Sequence, residues 1–338
     1  EEKAYLRFEK KQSQANQDVI KMAYKEVASA IFLRNEQDNT FTIDRGDIGI
    51  NIPAEMPSSS GLSLHGKLDY VNADQWLALT KQSQSKNKSA SLNVNSADIT
   101  IKALDFMNRR LNDLIITSKP SNQHLGMHLS SQEIEGDLEW ISPSKTEVTG
   151  EIIAKLTKLH LPDGYDKLSS QPADEQIVQL DQEYPALNIQ VADFKLGEKN
   201  LGALEVHAHE IKNDWVIDQL KISNPDSILL AEGRWHNWTR SPNTNLTFSL
   251  SANDVGNTLK RFGQADIVKG GISSISGQLN WPGSPHQFKT KGLNGNFRLG
   301  AAKGQIIKVK PGVGRLFGLL TLQSLPRRLT LDFRDLFS

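Results

Sequence analysis

Residues 244–252 read TNLTFSLSA, and the fold turns on how that stretch is read. In an extended chain Leu246, Phe248 and Leu250 share one side, while Thr247 and Ser249 share the other. A period of two marks a strand with one apolar face and one wet face. The pattern recurs along the chain. SISGQLNW (274–281) lines up Ile275, Gly277, Leu279 and Trp281. EIEGDLEW (133–140) repeats this arrangement with Ile134, Gly136, Leu138 and Trp140. QHLGMHLS (123–130) sets Leu125, Met127 and Leu129 against His124, Gly126 and His128. Val206, Phe297, Leu299 and Ile307 extend the same apolar set. One-sided alternation of this kind predicts antiparallel sheet.

About eighteen to twenty such segments are legible, and at ~4.8 Å per strand they would form a sheet roughly 90 Å across. Strongly twisted open sheets rarely exceed about ten strands without curling or splitting. The expected architecture is therefore mainly β: a long, curved and twisted antiparallel sheet forming an elongated apolar groove from repeated strand modules, with a few short helices. Left uncovered, such a face is an aggregation hazard unless it holds a ligand, and an extended amphiphile suits it. Exposing a sixteen-carbon acyl chain to water costs roughly 12 kcal/mol at about 0.8 kcal/mol per CH₂. If two sheets instead packed on each other, the same residues would form a dry sandwich core.

Composition narrows the function. The chain has 338 residues, 39 basic and 39 acidic side chains, 38% hydrophobic content and no cysteine. Neutrality argues against a generic nucleic-acid binder, and the lack of cysteine removes disulfides and thiolate metal sites. The charge is unevenly placed. Residues 131–185 hold twelve acidic and four basic side chains, a net of −8, whereas 260–338 hold three acidic and thirteen basic, a net of +10. The basic third is suited to an anionic partner such as lipid headgroups. The chain starts at Glu1 in a strand-like stretch and reads as an internal piece of a longer protein.

Four parts are expected: a β module over 1–90, a β-groove module over 91–180, a second over 181–310, and an apolar short helix or plug with a final strand over 311–338. Helices are expected near 18–32, where Asp18 would cap a face of Val19, Met22, Ala23, Val27, Ala30 and Ile31, and near 72–80 and 255–263. LDFMNRRLNDLIITS (104–118) is echoed by ADFKLGEKNLGALEVHA (192–208), which suggests stacked modules.

Catalytic and metal chemistry finds little support. Glu205, His207 and His209 alternate along EVHAHE and could form a metal triplet, but Val206 and Ala208 occupy the other face, so the simpler place for the histidines is the wet side. There is no nucleophile elbow, zincin motif or phosphate loop. GVGRLFG (312–318) has its third glycine in the wrong place for a dinucleotide fingerprint. No enzyme, cofactor or metal is expected.

Specific motifs then carry a resemblance. EYPALNIQVADFKLGEKNLGALEV (183–206), FGQADIVKGG (262–271), LNWPGSP (279–285), GLNGNFRL (292–299), GQIIKVKPGVGRLFGLLTLQSLPRRL (304–329) and LDFRDLF (331–337) resemble the YhdP branch of AsmA-like envelope proteins. The likeness is specific from about 180 to 338 and looser before. It implies part of a periplasmic protein of Gram-negative bacteria, anchored to the inner membrane in its full length. Such proteins are similar to chorein-type bridges, in which phospholipid passes between membranes along a β-sheet groove without catalysis. Phospholipids and the two membranes would be the partners, with acyl chains held by the apolar residues named above. The alternative is a periplasmic scaffold with a dry core.

The stretch 311–333 stands apart, with Leu316, Phe317, Leu319, Leu320, Leu322 and Leu325 within ten positions. It is too short to span a bilayer. It suits a core helix closing the sheet, a buried strand pair, or an amphipathic helix at the groove end or membrane surface. In the last case Arg315, Arg327 and Arg328 would reach phosphates.

Overall fold

The computed structural model describes residues 6–14, 16–37, 40–73, 75, 94–106, 109–119, 125–141, 149–163, 184–212, 214–236, 241–264, 266–285 and 292–307. The chain divides into two compact units, 1–141 and 142–338. The expected module boundaries near 90, 180 and 310 fall outside the described residues, as does the whole of 311–338.

Strands make up most of the described residues of the first unit. They are β1 (Leu6–Gln14), β2 (Gln17–Tyr24), β3 (Ala28–Gln37), β4 (Thr40–Ile50), β5 (Gly61–Asn72), β6 (Val94–Phe106), β7 (Arg109–Lys119), β8 (Leu125–Ser130) and β9 (Ile134–Ile141). Each pairs with the next in sequence. Mainly β architecture is thus as expected, but the pairing is not antiparallel throughout: β4 with β5 and β5 with β6 are parallel. Parallel neighbours need a crossover, which in a sequence looks like an ordinary polar loop. The β4–β5 crossover lies over the polar face. Ala54 N donates to Ser29 Oγ (2.7 Å), Glu55 N donates to Asp47 Oδ2 (2.8 Å), and Pro53 O lies 3.2 Å from His65 Nε2.

The helix expected over 18–32 is a hairpin. Residues 17–24 form β2 and 28–37 form β3, joined by a turn in which Lys25 takes φ 50° and Val27 N donates to Tyr24 O (3.2 Å). β-branched Val19, Ile20 and Ile31 favour extended chain. Asp18 does not cap a helix. It receives Arg34 Nη2 at 2.7 Å from the neighbouring strand and Lys10 Nζ at 3.1 Å from the other side. The helix expected near 72–80 lies almost wholly outside the described residues.

The second unit comprises β10 (Glu151–Leu161), β11 (Ala186–Leu196), β12 (Lys199–Ile211), β13 (Asp214–Asn224), β14 (Ser227–His236), β15 (Asn243–Ala252), α1 (Val255–Arg261), β16 (Val268–Pro282) and β17 (Asn294–Ile306). β10 and β11 are parallel, and the rest follow one another antiparallel. The short helix foreseen near 255–263 is present as α1. Asp254 caps it by accepting from Asn257 N (2.8 Å), and Arg261 anchors it to Asp226 (2.7 Å). The echo between 104–118 and 192–208 is structural, since both stretches span a β-hairpin, β6–β7 and β11–β12.

Candidate functional site

Residues opposite each other in a ladder lie on the same face, so the register of the second unit fixes what each face carries. One row takes a residue from each of eight strands: Leu156, Val191, Leu204, Ile222, Leu229, Leu250, Ile275 and Leu299. Beside it runs Ala154, Ile189, Val206, Leu220, Ala231, Phe248, Gly277 and Phe297. The third row is Ile152, Leu187, Ala208, Ile217, Gly233, Leu246, Leu279 and Gly295. None of these positions carries a polar side chain. Leu156, Val191 and Leu204 are buried, whereas Phe248, Leu250, Ile275 and Leu299 are half-buried. From Leu220 onward large and small residues alternate along the middle row. Gly277 lies between Phe248 and Phe297, and a Cβ there would collide with the carbonyl oxygen of Asn296.

The band of rows is bordered along both of its sides. Along one side Trp215, Trp235, Thr244 and Trp281 stand in register on β13 to β16, two residues from the third row. Trp281 Nε1 donates to Ser284 O (3.1 Å), Trp215 Nε1 to Pro185 O (3.3 Å) and Thr244 Oγ1 to Gly283 O (2.8 Å). Tyr184 meets Trp235 edge-on at 4.7 Å, and burial pushes its phenol up to about 12. The Trp235 indole N–H is buried without an acceptor. Along the other side α1 packs on β16 and reaches β12, burying Thr258.

The opposite face is polar and is laced across strands. Lys221 Nζ donates to Glu205 (2.7 Å), His209 pairs with Asp218 (2.7 Å), His160 with Asp193 (2.6 Å), and Asp214 with both His236 (2.9 Å) and Arg234 (3.1 Å). Two members of the Glu205–His207–His209 triplet are thus occupied by cross-strand partners. Among the described residues no three metal-binding groups converge. An open depression of about 720 Å³ lies on this polar side, its walls including Arg234, Asn245, Asn280, Glu232 and Gln278.

In the first unit the corresponding apolar cluster is Ile101, Leu114 and Leu129, joined by Leu68, Val71, Ile99, Leu104, Ile116, Ile134 and Leu138. The register puts Leu125 opposite Trp140 and Met127 opposite Leu138 on the same face as Leu129 and Ile134.

The structure therefore brings the sequence-derived candidates together within each unit: Leu125, Met127, Leu129, Ile134, Leu138 and Trp140 in the first, and Val206, Leu246, Phe248, Leu250, Ile275, Leu279, Trp281, Phe297 and Leu299 in the second. Trp281 belongs to the tryptophan border beside the third row. Ile307 lies past β17 and is 57% exposed. Arg315, Leu316, Phe317, Leu319, Leu320, Arg327 and Arg328 lie outside the described residues. Sequence reasoning missed Leu156, Val191, Leu204 and Leu229, and it missed Leu220 and Ile222 because a bulge between Ile217 and Leu220 breaks the alternation in WVIDQLKIS. Among the described residues no helix is long and apolar enough to cross a membrane.

The Escherichia coli (strain K12) protein named intermembrane phospholipid transporter YhdP is 23% identical over 291 residues, covering 83% of this chain and 22% of that protein. The chain thus spans about a fifth of that relative's length. No solved structure matches it. The YhdP protein family matches across residues 1–338, the entire stretch that carries both apolar faces, and the chain belongs to that family.

Proposed function

We propose that this chain is a segment of an intermembrane phospholipid conduit whose apolar rows shelter acyl chains while headgroups stay toward water. The observation that carries the reading is the trio of unbroken apolar rows across β10 to β17. Seven strand spacings at ~4.8 Å make each row about 34 Å long. That is roughly twice the ~15 Å half-thickness of a bilayer's hydrocarbon core, so lipids could follow one another along it. The name of the E. coli relative supports phospholipid as the cargo. In the full-length protein this segment would lie in the periplasm between an inner-membrane anchor and the outer membrane. The net +10 of residues 260–338, including Arg315, Arg327 and Arg328, suits anionic headgroups at one end of the path. Shielding replaces chemistry here, and no catalytic residue, cofactor or metal is invoked.

A second reading has its own support: Leu156, Val191 and Leu204 are buried, as in a scaffold whose apolar face is closed by protein. Native mass spectrometry of the chain, followed by organic extraction, separates the two. Phospholipid that co-purifies and is lost in folded Phe248→Asp or Leu279→Asp variants supports the conduit. A lipid-free mass with a cooperative, lipid-independent unfolding transition supports the scaffold.

A further inference from the structure

We infer that His128 is a proton-operated clip holding β8 to β9. Its imidazole stands on the polar face between two carboxylates of one strand. Nδ1 is 2.8 Å from Asp137 Oδ1, and Nε2 is 3.0 Å from Glu135 Oε1. Ser130 Oγ donates to the other Glu135 oxygen at 2.8 Å and fixes that carboxylate in place. A neutral imidazole has one N–H and one lone pair, so between two anions it must turn the lone pair toward one of them. Only the imidazolium donates to both.

The surroundings reinforce the demand for a proton. Along the same register row β7 contributes uncharged Thr117 and β6 contributes Asp98. On β9 the flanking position is Glu139, and Glu133 in the β8–β9 turn is taken up by Asn112, whose N and Nδ2 donate to it at 3.0 and 2.8 Å. Asp98, Glu135, Asp137 and Glu139 are all acidic, and the basic position on the adjoining register row is Lys119 of β7, opposite Gly126. The hydrogen bond to Asp137 is the main cause that raises its affinity for protons, against a smaller opposing effect of burial, with Glu135 adding to the rise.

The sign follows. A group whose proton affinity is higher in the folded state stabilises below its unfolded value, ~6.5 for histidine, and that stabilisation is lost as pH rises through the folded value. β8 is only six residues long and carries Leu125, Met127 and Leu129 on its apolar side. Releasing the clip leaves Glu135 and Asp137 beside an uncharged ring and loosens the hairpin that holds those residues.

Hydrogen exchange of β8 and β9 amides in the whole chain, followed from about pH 5.5 to 9 across the histidine range and corrected for intrinsic exchange, tests this alongside an NMR titration of His128. His128 is 41% exposed, so the expected effect is modest, about a two- to fivefold rise in hairpin opening as the ring deprotonates. His128→Gln should open to that extent at every pH. His128→Arg, whose guanidinium keeps its charge, should stay protected throughout. The proposal is overturned if the ring titrates at or below the ordinary histidine value. It is equally overturned if wild-type and His128→Gln exchange run parallel across the range.

Discussion

Phe248→Asp distinguishes a sheltering face from a dry core by the size of a single energy. Phe248 sits in the middle apolar row, opposite Ala231 on β14 and Gly277 on β16, and is half-buried. Full burial of a phenylalanine stabilises by about 1.5–3 kcal/mol, so a half-buried ring contributes on the order of 1–1.5. If the face opens to solvent or to exchangeable lipid, the new carboxylate rotates into water and little is lost beyond that contribution. The expected destabilisation is then about 1–2 kcal/mol, a shift in urea midpoint that leaves the chain folded at neutral pH. If the row is the interior of a protein core, the carboxylate is a buried, unpaired charge, and the loss reaches about 3–5 kcal/mol or more.

Ser249→Asp is the internal control. It lies one residue along β15 on the exposed polar face, opposite Ser276, and should shift stability by no more than about 0.5 kcal/mol. Urea unfolding of all three proteins, with bound phospholipid quantified by native mass spectrometry, reads both quantities at once. A folded Phe248→Asp chain stripped of lipid is the expected result. A loss above about 3 kcal/mol from a wild type that carries no lipid would refute the reasoning and favour the scaffold.

Three further outcomes follow from named contacts. Asp18 is held below the ordinary carboxylate value chiefly by Arg34 and then by Lys10, so its contribution is present above ~3.9 and fades as pH falls through the lowered folded value. The stability gap between wild type and Asp18→Asn should therefore close on acidification, as read by unfolding at a series of pH values. Gly277→Ala forces a methyl group against the Asn296 carbonyl and should cost about 1–3 kcal/mol in urea unfolding, with the disturbance confined to β16 and β17. Two tryptophans of the same row should differ: Trp281→Phe loses a hydrogen bond to Ser284 O, while Trp235→Phe removes a buried donor that has no acceptor. Trp281→Phe should then be the more damaging by about 1 kcal/mol.

How much of this was legible in the residues depended on where alternation survived. TNLTFSLSA and SISGQLNW alternate without interruption, and their ladder runs in unbroken register from Asn243–Pro282 to Ala252–Ser273. Their apolar faces could therefore be assigned from sequence. DVIKMAYKEVASAIF could not, because a turn at residues 25–27 places apolar residues at helical spacings although they belong to two strands. The three parallel pairings were also hidden, since strand direction is set by how a crossover is routed and leaves no periodic mark.

The bulges explain the remainder and also give the site its continuity. WVIDQLKIS reads as ambiguous because Trp215 and Ile217 have one parity and Leu220 and Ile222 the other. The register shift between Ile217 and Leu220 turns the strand by one residue, so all four meet the same face. β11 does the same between Val191 and Phe194, and both residues are buried. Since a one-residue slip exchanges the two faces of a strand, these strands without their bulges would present half their apolar residues to each side. Each break in the sequence pattern thus lies where the backbone compensates for it, which is how strands of mismatched parity contribute to apolar rows that cross eight strands without a polar side chain.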